Sequence, residues 1–226
     1  MSRPSPSPRV VSVNVGPARD EGWAGNLRRT AIDKRPVDGS VAVTAAGLAD
    51  DEVADLVHHG GPDQAVYVYA LEDLRWWGER LGGEIRPGMV GENLTTEGID
   101  VNAALVGERW QVGRPGTGPL LEVSAVRIPC RVFANFLDLH GLDATGFVKR
   151  FTRAGRVGPY LRVLRPGTVR AGDVVQVVAR PDHAVSVTTM FRALTTERHL
   201  LPDLLAVEGL AERVRRRVDD HLAPRA

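Results

Sequence analysis

The sequence predicts a mainly β fold, an antiparallel barrel or sandwich, followed by a small module of three helices. From about Arg9 to Pro181, short β-forming runs alternate with glycine and proline, without a regular alternation of strands and helices. After Pro181, apolar residues recur at helical spacing instead. We therefore expect a disordered Pro/Ser-rich tail over residues 1–8, a β domain over 9–182 and a helical module over 183–226.

The strands are predicted where β-forming runs are bounded by turn residues. The first run alternates apolar and polar residues with period two and stops at Gly16-Pro17. The glycine-rich segment Gly113–Pro119 lacks the lysine of a phosphate-binding loop and fits a hairpin connection. The predicted strands are Arg9–Val15, Ser40–Thr44, Gln64–Tyr69, Val106–Val112, Leu120–Val126, Tyr160–Leu164 and Ala171–Val177.

The helices are predicted from apolar residues at helical spacing. Within the β domain, Leu71–Leu81 is the clearest helix, and Asp143–Arg153 is a second candidate. The C-terminal module has three candidates: Ser186–Leu194, Leu200–Val207 and Leu210–Leu222. A three-helix unit with a cluster of arginines at 213 and 215–217 is compatible with a DNA-binding helix-turn-helix. A solvated helix face with charge pairs is the interpretation we favour.

Composition excludes several classes of protein. A net charge of +1 does not suit a polycation that coats nucleic acid, so we expect no nucleic-acid partner. No run approaches about 18 apolar residues, and the first residues do not resemble a secretory signal. The single cysteine excludes an internal disulfide and a Cys-ligated iron–sulfur cluster. We therefore expect a cytoplasmic protein that does not contact a membrane.

Cys130 is the strongest candidate for chemistry. A lone cysteine is usually a small buried hydrophobe, but Pro129 ends the preceding strand and places Cys130 in a loop at the sheet edge. Arg127 and Arg131 flank it, and cations favour the thiolate, which is a soft metal ligand. Because one cysteine cannot form a metal site by itself, any metal must arrive with ligands of its own.

Three polar segments are further candidates. The glycines of His58–Gln64 permit close approach of backbone to a ligand, although a turn with one structural histidine explains them equally well. Gly91–Gly98 carries hydroxyls, an amide and carboxylates that suit a polar heterocycle, or a surface turn. The basic pair Lys34-Arg35 suits a phosphate, or solvent.

Taken in order, these segments resemble one family, the MOSC domain, which is named for the C-terminal region of molybdenum-cofactor sulfurase. The resemblance is strongest to the bacterial YiiM-type branch of N-hydroxylaminopurine reductases, whose members carry a C-terminal three-helix segment. It extends from about Val10 to Leu222, and Ala49 departs from it where the family usually has glycine. The matching segments are Ile32–Val37, Gly47-Leu48 with Asp51 and Asp55, His59–Ala65, Gly91–Leu94 and Pro129-Cys130.

The resemblance implies a mostly antiparallel β-barrel that binds molybdenum with molybdopterin in a cleft, with Cys130 as the metal ligand. It also implies reduction of N-hydroxylated compounds such as amidoximes, hydroxylamines and hydroxylaminopurines, with electrons from a separate flavoprotein or ferredoxin-type reductase. The alternative is a non-catalytic carrier of the cofactor or of sulfur. On the same grounds we expect a set of cofactor-binding residues: Lys34, His59, Gly60, Asn93, Thr95 and Arg127.

Overall fold

The computed structural model describes residues 7–55 and 59–223. Residues 1–6 of the expected tail and His58 therefore lie outside the described residues. The strands are β1 (Arg9–Val15), β2 (Arg19–Asp20), β3 (Arg29–Thr30), β4 (Arg35–Pro36), β5 (Val41–Thr44), β6 (Gly47–Leu48), β7 (Val66–Ala70), β8 (Leu94–Glu97), β9 (Arg109–Val112), β10 (Leu120–Val126), β11 (Pro159–Arg165), β12 (Gly167–Val169) and β13 (Val175–Ala179). The α-helices are α1 (Leu71–Leu81), α2 (Arg131–Leu139), α3 (Phe147–Ala154), α4 (Val187–Thr195) and α5 (Glu212–Leu222), and 3₁₀ helices cover Gly22–Leu27, Pro62–Gln64 and Arg198–Ala206.

Eight strands form the main sheet, in the order β13-β9-β10-β11-β7-β8-β1-β4. Every neighbouring pair is antiparallel except β7 and β8. The expectation of a mostly antiparallel β fold is therefore confirmed. Two smaller sheets, β12-β5-β6 and β2-β3, lie beside it.

The main sheet is not closed into a barrel by a continuous ladder. Its first strand in the order, β13, and its last, β4, are not paired with each other. One isolated antiparallel bridge, between Arg9 and Val174, joins the start of β1 to the residues before β13. The backbone hydrogen bonds around it, Val10 N to Asp173 O and Gly172 N to Val10 O, are each 2.8 Å long. The expected barrel is thus an open sheet whose two sides meet at one point.

Helix α2 begins directly after Cys130 and was not predicted. Cys130 itself lies in the connection between β10 and α2, as expected, and is the N-cap residue of the helix. Phe133, Phe136 and Leu137 are buried and lie on one face, since they are three and four residues apart. The Phe133 ring centroid lies 4.8 Å from that of Phe147 in α3, so aromatic packing holds α2 in place below the cysteine.

The C-terminal module contains the three expected helical segments, with one difference. The middle segment is a 3₁₀ helix that contains Pro202, which lacks the N–H that an α-helix interior needs. Ser186 caps α4 by accepting a hydrogen bond from Thr189 N at 3.1 Å. In α5, Val214 and Val218 are buried, while the arginines between them are not. Among the helices of residues 7–55 and 59–223, none has the length and apolar character needed to cross a membrane.

Candidate cofactor site

A two-lobed cavity lies beside Cys130. The narrow lobe has a volume of about 100 Å³ and the wide lobe about 740 Å³. Cys130 lines both lobes, so it lies at their junction. The other residues shared by the two lobes are Leu27, Asp55, His59, Gly60, Gln64 and Tyr160.

The narrow lobe brings together most of the residues singled out from the sequence. Thr95 is the exception, because it is fully buried in β8 and does not line either lobe. Its hydroxyl donates to Glu92 Oε1 at 2.7 Å and accepts from Asn14 Nδ2 at 3.1 Å. Thr95 therefore stabilises the wall of the narrow lobe through its hydrogen bonds to Glu92 and Asn14 and has no direct access to the cavity. The expected residues that do line the narrow lobe are Lys34, His59, Gly60, Asn93, Arg127 and Cys130.

Asp51 organises one wall of the narrow lobe. Its carboxylate pairs with the ammonium of Lys34 and accepts hydrogen bonds from Gly16 N at 3.0 Å and Asn93 Nδ2 at 2.8 Å. The other end of the Asn93 amide accepts from Tyr67 N at 3.0 Å, which fixes the orientation of the amide. Burial lowers the pKa of Lys34, and the carboxylate of Asp51 opposes that change.

Arg127 is buried, and it has no carboxylate partner in the part of the chain that the structure describes. Only 8% of the surface of this residue is exposed, and it forms no ion pair within the described residues. One terminal nitrogen donates to the Tyr160 hydroxyl at 3.4 Å, and Nε has no hydrogen-bond partner. The guanidinium carbon lies 5.0 Å from the ring centroid of Tyr67 and 5.3 Å from that of Phe133. Because a buried cation with unused donors is costly, this arrangement favours an anionic ligand in the narrow lobe.

The Tyr160 hydroxyl links the guanidinium of Arg127 to His59 at the junction of the two lobes. Its hydroxyl lies 3.2 Å from Nδ1 of His59 and accepts the hydrogen bond from Arg127. Burial raises the pKa of Tyr160, and the positive charges of Arg127 and Arg213 oppose that rise. The hydroxyl is therefore protonated at neutral pH and available as a donor. Sequence reasoning missed this residue, since only its strand was recognised and no local signal sets it apart.

The sulfur of Cys130 is partly buried and is not used for capping. The residue packs against the core, and its side chain makes no capping hydrogen bond to α2. The helix begins at the next residue, so the positive end of its dipole is close to the thiol.

The side chains beside the cavity suit a metal that is already chelated by an organic cofactor. Within residues 7–55 and 59–223, no cluster of three or more His, Cys, Asp or Glu side chains could hold a metal ion. A single thiol can still complete the coordination of a metal held by an organic cofactor. The neighbouring cations, amides and positive-φ glycines, such as Gly60 at φ 76°, suit the anionic and polar parts of such a cofactor.

Comparison with known proteins supports the same assignment. Residues 55–176 match the MOSC domain model, which describes a molybdenum-cofactor-binding family. Protein YiiM of Escherichia coli strain K12 is 31% identical over 193 residues, covering 81% of this chain and 80% of that protein. A reductase of Gibberella moniliformis is 31% identical over 210 residues, which are 90% of this chain but only 35% of that longer protein.

The fold agrees with that of a solved relative. The crystal structure of YiiM from Geobacillus stearothermophilus superposes with a TM-score of 0.76 at 26% identity, over 96% of this chain and 100% of the other. That coverage includes both the main sheet and the C-terminal helices. Together with the relatives, the match supports a molybdenum-cofactor-associated role, and the chain belongs to the MOSC domain family.

Proposed function

We propose that the protein is a molybdenum-cofactor-dependent reductase of N-hydroxylated compounds, with Cys130 as the protein's ligand to the metal. The observation that carries this proposal is the position of the thiol, at the junction of a narrow cationic lobe and a wide lobe. The similarity to a fungal protein named a reductase supports an oxidoreductase over a passive binding module.

The narrow lobe, with a volume of about 100 Å³, is suited to one polar or anionic end of the cofactor. Lys34 and Arg127 are its buried cations, and the Asn93 amide, whose two ends are already bonded to Asp51 and Tyr67 N, holds the wall beside them. Gly60, in a left-handed conformation, allows the backbone to approach closely. When bound, the molybdenum centre supplies two-electron redox chemistry, and the protein positions it and tunes it.

Tyr160 and His59 are suited to supply protons. Reduction of an N–OH group breaks the N–O bond, forms an N–H bond and releases water, and it consumes two electrons and two protons. The Tyr160 hydroxyl faces the junction and donates a proton there, and His59, hydrogen-bonded to it through Nδ1, replaces that proton.

The electrons come from a separate protein in this proposal. The chain has one cysteine, which is too few for a Cys-ligated iron–sulfur cluster, and it lacks a dinucleotide-binding fingerprint. A flavoprotein or a ferredoxin-type protein is therefore the expected donor.

The test is reduction of benzamidoxime and of 6-N-hydroxylaminopurine by the cofactor-loaded protein, with reduced methyl viologen replacing the natural donor. We expect both compounds to be reduced by the wild type and neither by Cys130→Ala. Loaded wild-type protein that binds the cofactor but reduces neither compound would contradict the proposal and establish a carrier.

A further inference from the structure

The wide lobe has the size and the lining of a small-molecule site. Its volume of about 740 Å³ lies within the range of about 300–1,000 Å³ that is typical of such sites. Buried apolar side chains line it from two parts of the chain, since Val126 ends β10 while Ala211 and Val214 lie at the start of α5. The main sheet and the C-terminal segment therefore build one chamber, with Cys130 at its junction with the narrow lobe.

Among the described residues, two large apolar side chains of this chamber are exposed. Leu27 is 46% exposed and lines both lobes, and Ile128 is 39% exposed and lines the wide lobe. They come from different segments, because Leu27 ends the 3₁₀ helix Gly22–Leu27 and Ile128 lies two residues before Cys130. Exposed apolar side chains that face one cavity indicate a binding surface, since a ligand with an apolar body removes them from water.

The hairpin of β2 and β3, which carries Leu27 at its tip, is anchored beside the thiol. The ring of Trp23 packs on that of Phe136 in α2, with centroids 5.4 Å apart, and the carbonyl of Trp23 accepts a hydrogen bond from Asn135 Nδ2 at 3.0 Å. Ala24, the next residue of the hairpin, is buried. Because α2 begins directly after Cys130, these contacts fix the hairpin relative to the junction of the lobes.

Two residues beside Leu27 have unusual backbone conformations. Gly25 has φ 64° and ψ −135°, a combination that favours glycine, and Arg28 has φ 55° and ψ −34°. A positive φ is uncommon at an arginine, and such conformations concentrate at ligand-binding sites and switch regions. Since Leu27 lies between these two residues in the chain, the strained turn places its side chain at the junction.

We infer, on the basis of the proposed function, that Leu27 and Ile128 are specificity-determining residues that cover the apolar body of an N-hydroxylated substrate in the wide lobe. The favoured substrates are amidoximes and hydroxylamines with an aromatic or other bulky apolar body, in preference to small compounds that carry the same N–OH group. The body packs against Leu27 and Ile128, and the N–OH group lies at the junction beside Cys130.

The first test compares benzamidoxime with acetamidoxime, which has a methyl group in place of the phenyl ring. The ratio of kcat/KM for the two compounds is measured on cofactor-loaded protein with reduced methyl viologen. We expect Leu27→Ala and Ile128→Ala each to lower this ratio about fivefold, because each removes apolar contact with the ring. Leu205→Ala is the matched control and should keep the wild-type ratio, since Leu205 is 45% exposed but lines neither lobe.

The second test displaces Leu27 without removing it. A Cβ at Gly25 or at Gly22 would meet no described atom within 4 Å beyond the neighbouring residues of its own segment, but only Gly25 has a positive φ. Alanine at these two positions therefore differs in backbone strain and not in packing. We expect Gly25→Ala to lower the ratio as Leu27→Ala does, and Gly22→Ala to leave it unchanged.

Several results would overturn the inference. An unchanged ratio in Leu27→Ala and Ile128→Ala would show that neither residue covers the substrate, and an equal fall in Leu205→Ala would show a general effect of surface apolar residues. Loss of molybdenum from Leu27→Ala would show that Leu27 covers the cofactor instead.

Calorimetric binding of both compounds to the loaded protein separates this inference from the proposed function. A preference for benzamidoxime that falls in Leu27→Ala, without turnover by the wild type, would support the chamber and refute only the reductase proposal. Turnover of both compounds with a ratio that Leu27→Ala and Ile128→Ala leave unchanged would refute only the role of these two residues. Absence of binding of either compound to the wild type would contradict both.

Discussion

At the scale of single residues, Arg127 lowers the stability of the cofactor-free protein but serves to bind the anionic cofactor in the proposed function. Its burial without a carboxylate costs folding free energy that a bound anion recovers. We expect Arg127→Met to raise the free energy of unfolding of the cofactor-free protein by about 1 kcal/mol or more, since methionine keeps the packing on Tyr67 and Phe133. The same variant should lose the cofactor. Urea denaturation and metal analysis measure the two effects.

Arg162 provides the control for that experiment. It is also largely buried, but its guanidinium is paired with two carboxylates. Arg162→Met should therefore destabilise the protein. An equal loss of stability in Arg127→Met would contradict this account. It would show that Arg127 stabilises the fold without a bound anion.

Tyr160→Phe separates proton donation from binding. The variant removes only the hydroxyl that joins Arg127 and His59. We expect kcat for amidoxime reduction to fall by about a hundredfold, the lower end of the range for a general acid, with KM and molybdenum content unchanged. An unchanged kcat would exclude Tyr160 as the donor.

The buried carboxyl group of Glu92 makes the free energy of unfolding depend on pH. It is fully buried, and burial raises its pKa above 4.5, although hydrogen bonds from Gly88 N at 2.6 Å, Thr95 at 2.7 Å and Val90 N at 3.2 Å oppose this. A raised pKa in the folded state contributes stability that is complete below the unfolded pKa and is lost as pH rises through the folded pKa.

Glu92→Gln cannot titrate, so the difference in free energy of unfolding between wild type and variant isolates this contribution. We expect that difference to fall as pH rises from about 4, with a slope of at most about 1.4 kcal/mol per pH unit. Parallel pH profiles of the two proteins, from urea denaturation, would show that the Glu92 carboxyl titrates alike in the folded and unfolded chains.

At the scale of elements, the loop between α1 and β8 holds the segment that carries Lys34. Gly88 has a φ of 81°, and a Cβ there would overlap the backbone carbonyl of Lys34, with 2.8 Å to its carbon and 3.1 Å to Asn14 Cβ. Gly82 has a similar φ of 77°, but a Cβ added there would meet no atom within 4 Å beyond its immediate neighbours in the chain.

Alanine at these two glycines should therefore have different effects. Both variants pay the cost of a left-handed alanine, about 1–2 kcal/mol, and Gly88→Ala should lose about 1–3 kcal/mol more by displacing the Lys34 segment. We also expect Gly88→Ala, and not Gly82→Ala, to retain less cofactor. Equal losses of stability in urea denaturation would mean that the two segments are free to separate.

Some elements were predictable because their signal is local. The strands β1 and β10 and the helix α1 have the bounds expected from the periodicity of their apolar residues. The two-residue strands β2, β3, β4 and β6 are too short to show a period. Helix α2 was missed because it follows Pro129-Cys130 without a capping residue, although Phe133, Phe136 and Leu137 carry helical spacing.

At the scale of the whole molecule, the site depends on contacts between distant parts of the chain. Motifs along the sequence pointed to Lys34, Asn93 and Cys130, which do line one lobe. The pairing of β7 with β11, which sets Tyr160 opposite Tyr67, has no sequence signature. Likewise, the use of α5 as a wall follows from packing, since its arginines alone are equally compatible with a solvated face.

The most direct test of Cys130 as metal ligand is the molybdenum content of purified wild-type protein and Cys130→Ala, measured by mass spectrometry, with thermal unfolding to verify that both are folded. We expect near-stoichiometric molybdenum in the wild type and its loss in the variant, because no cluster of other described side chains could hold the metal. Folded Cys130→Ala that keeps as much molybdenum as the wild type would contradict this assignment.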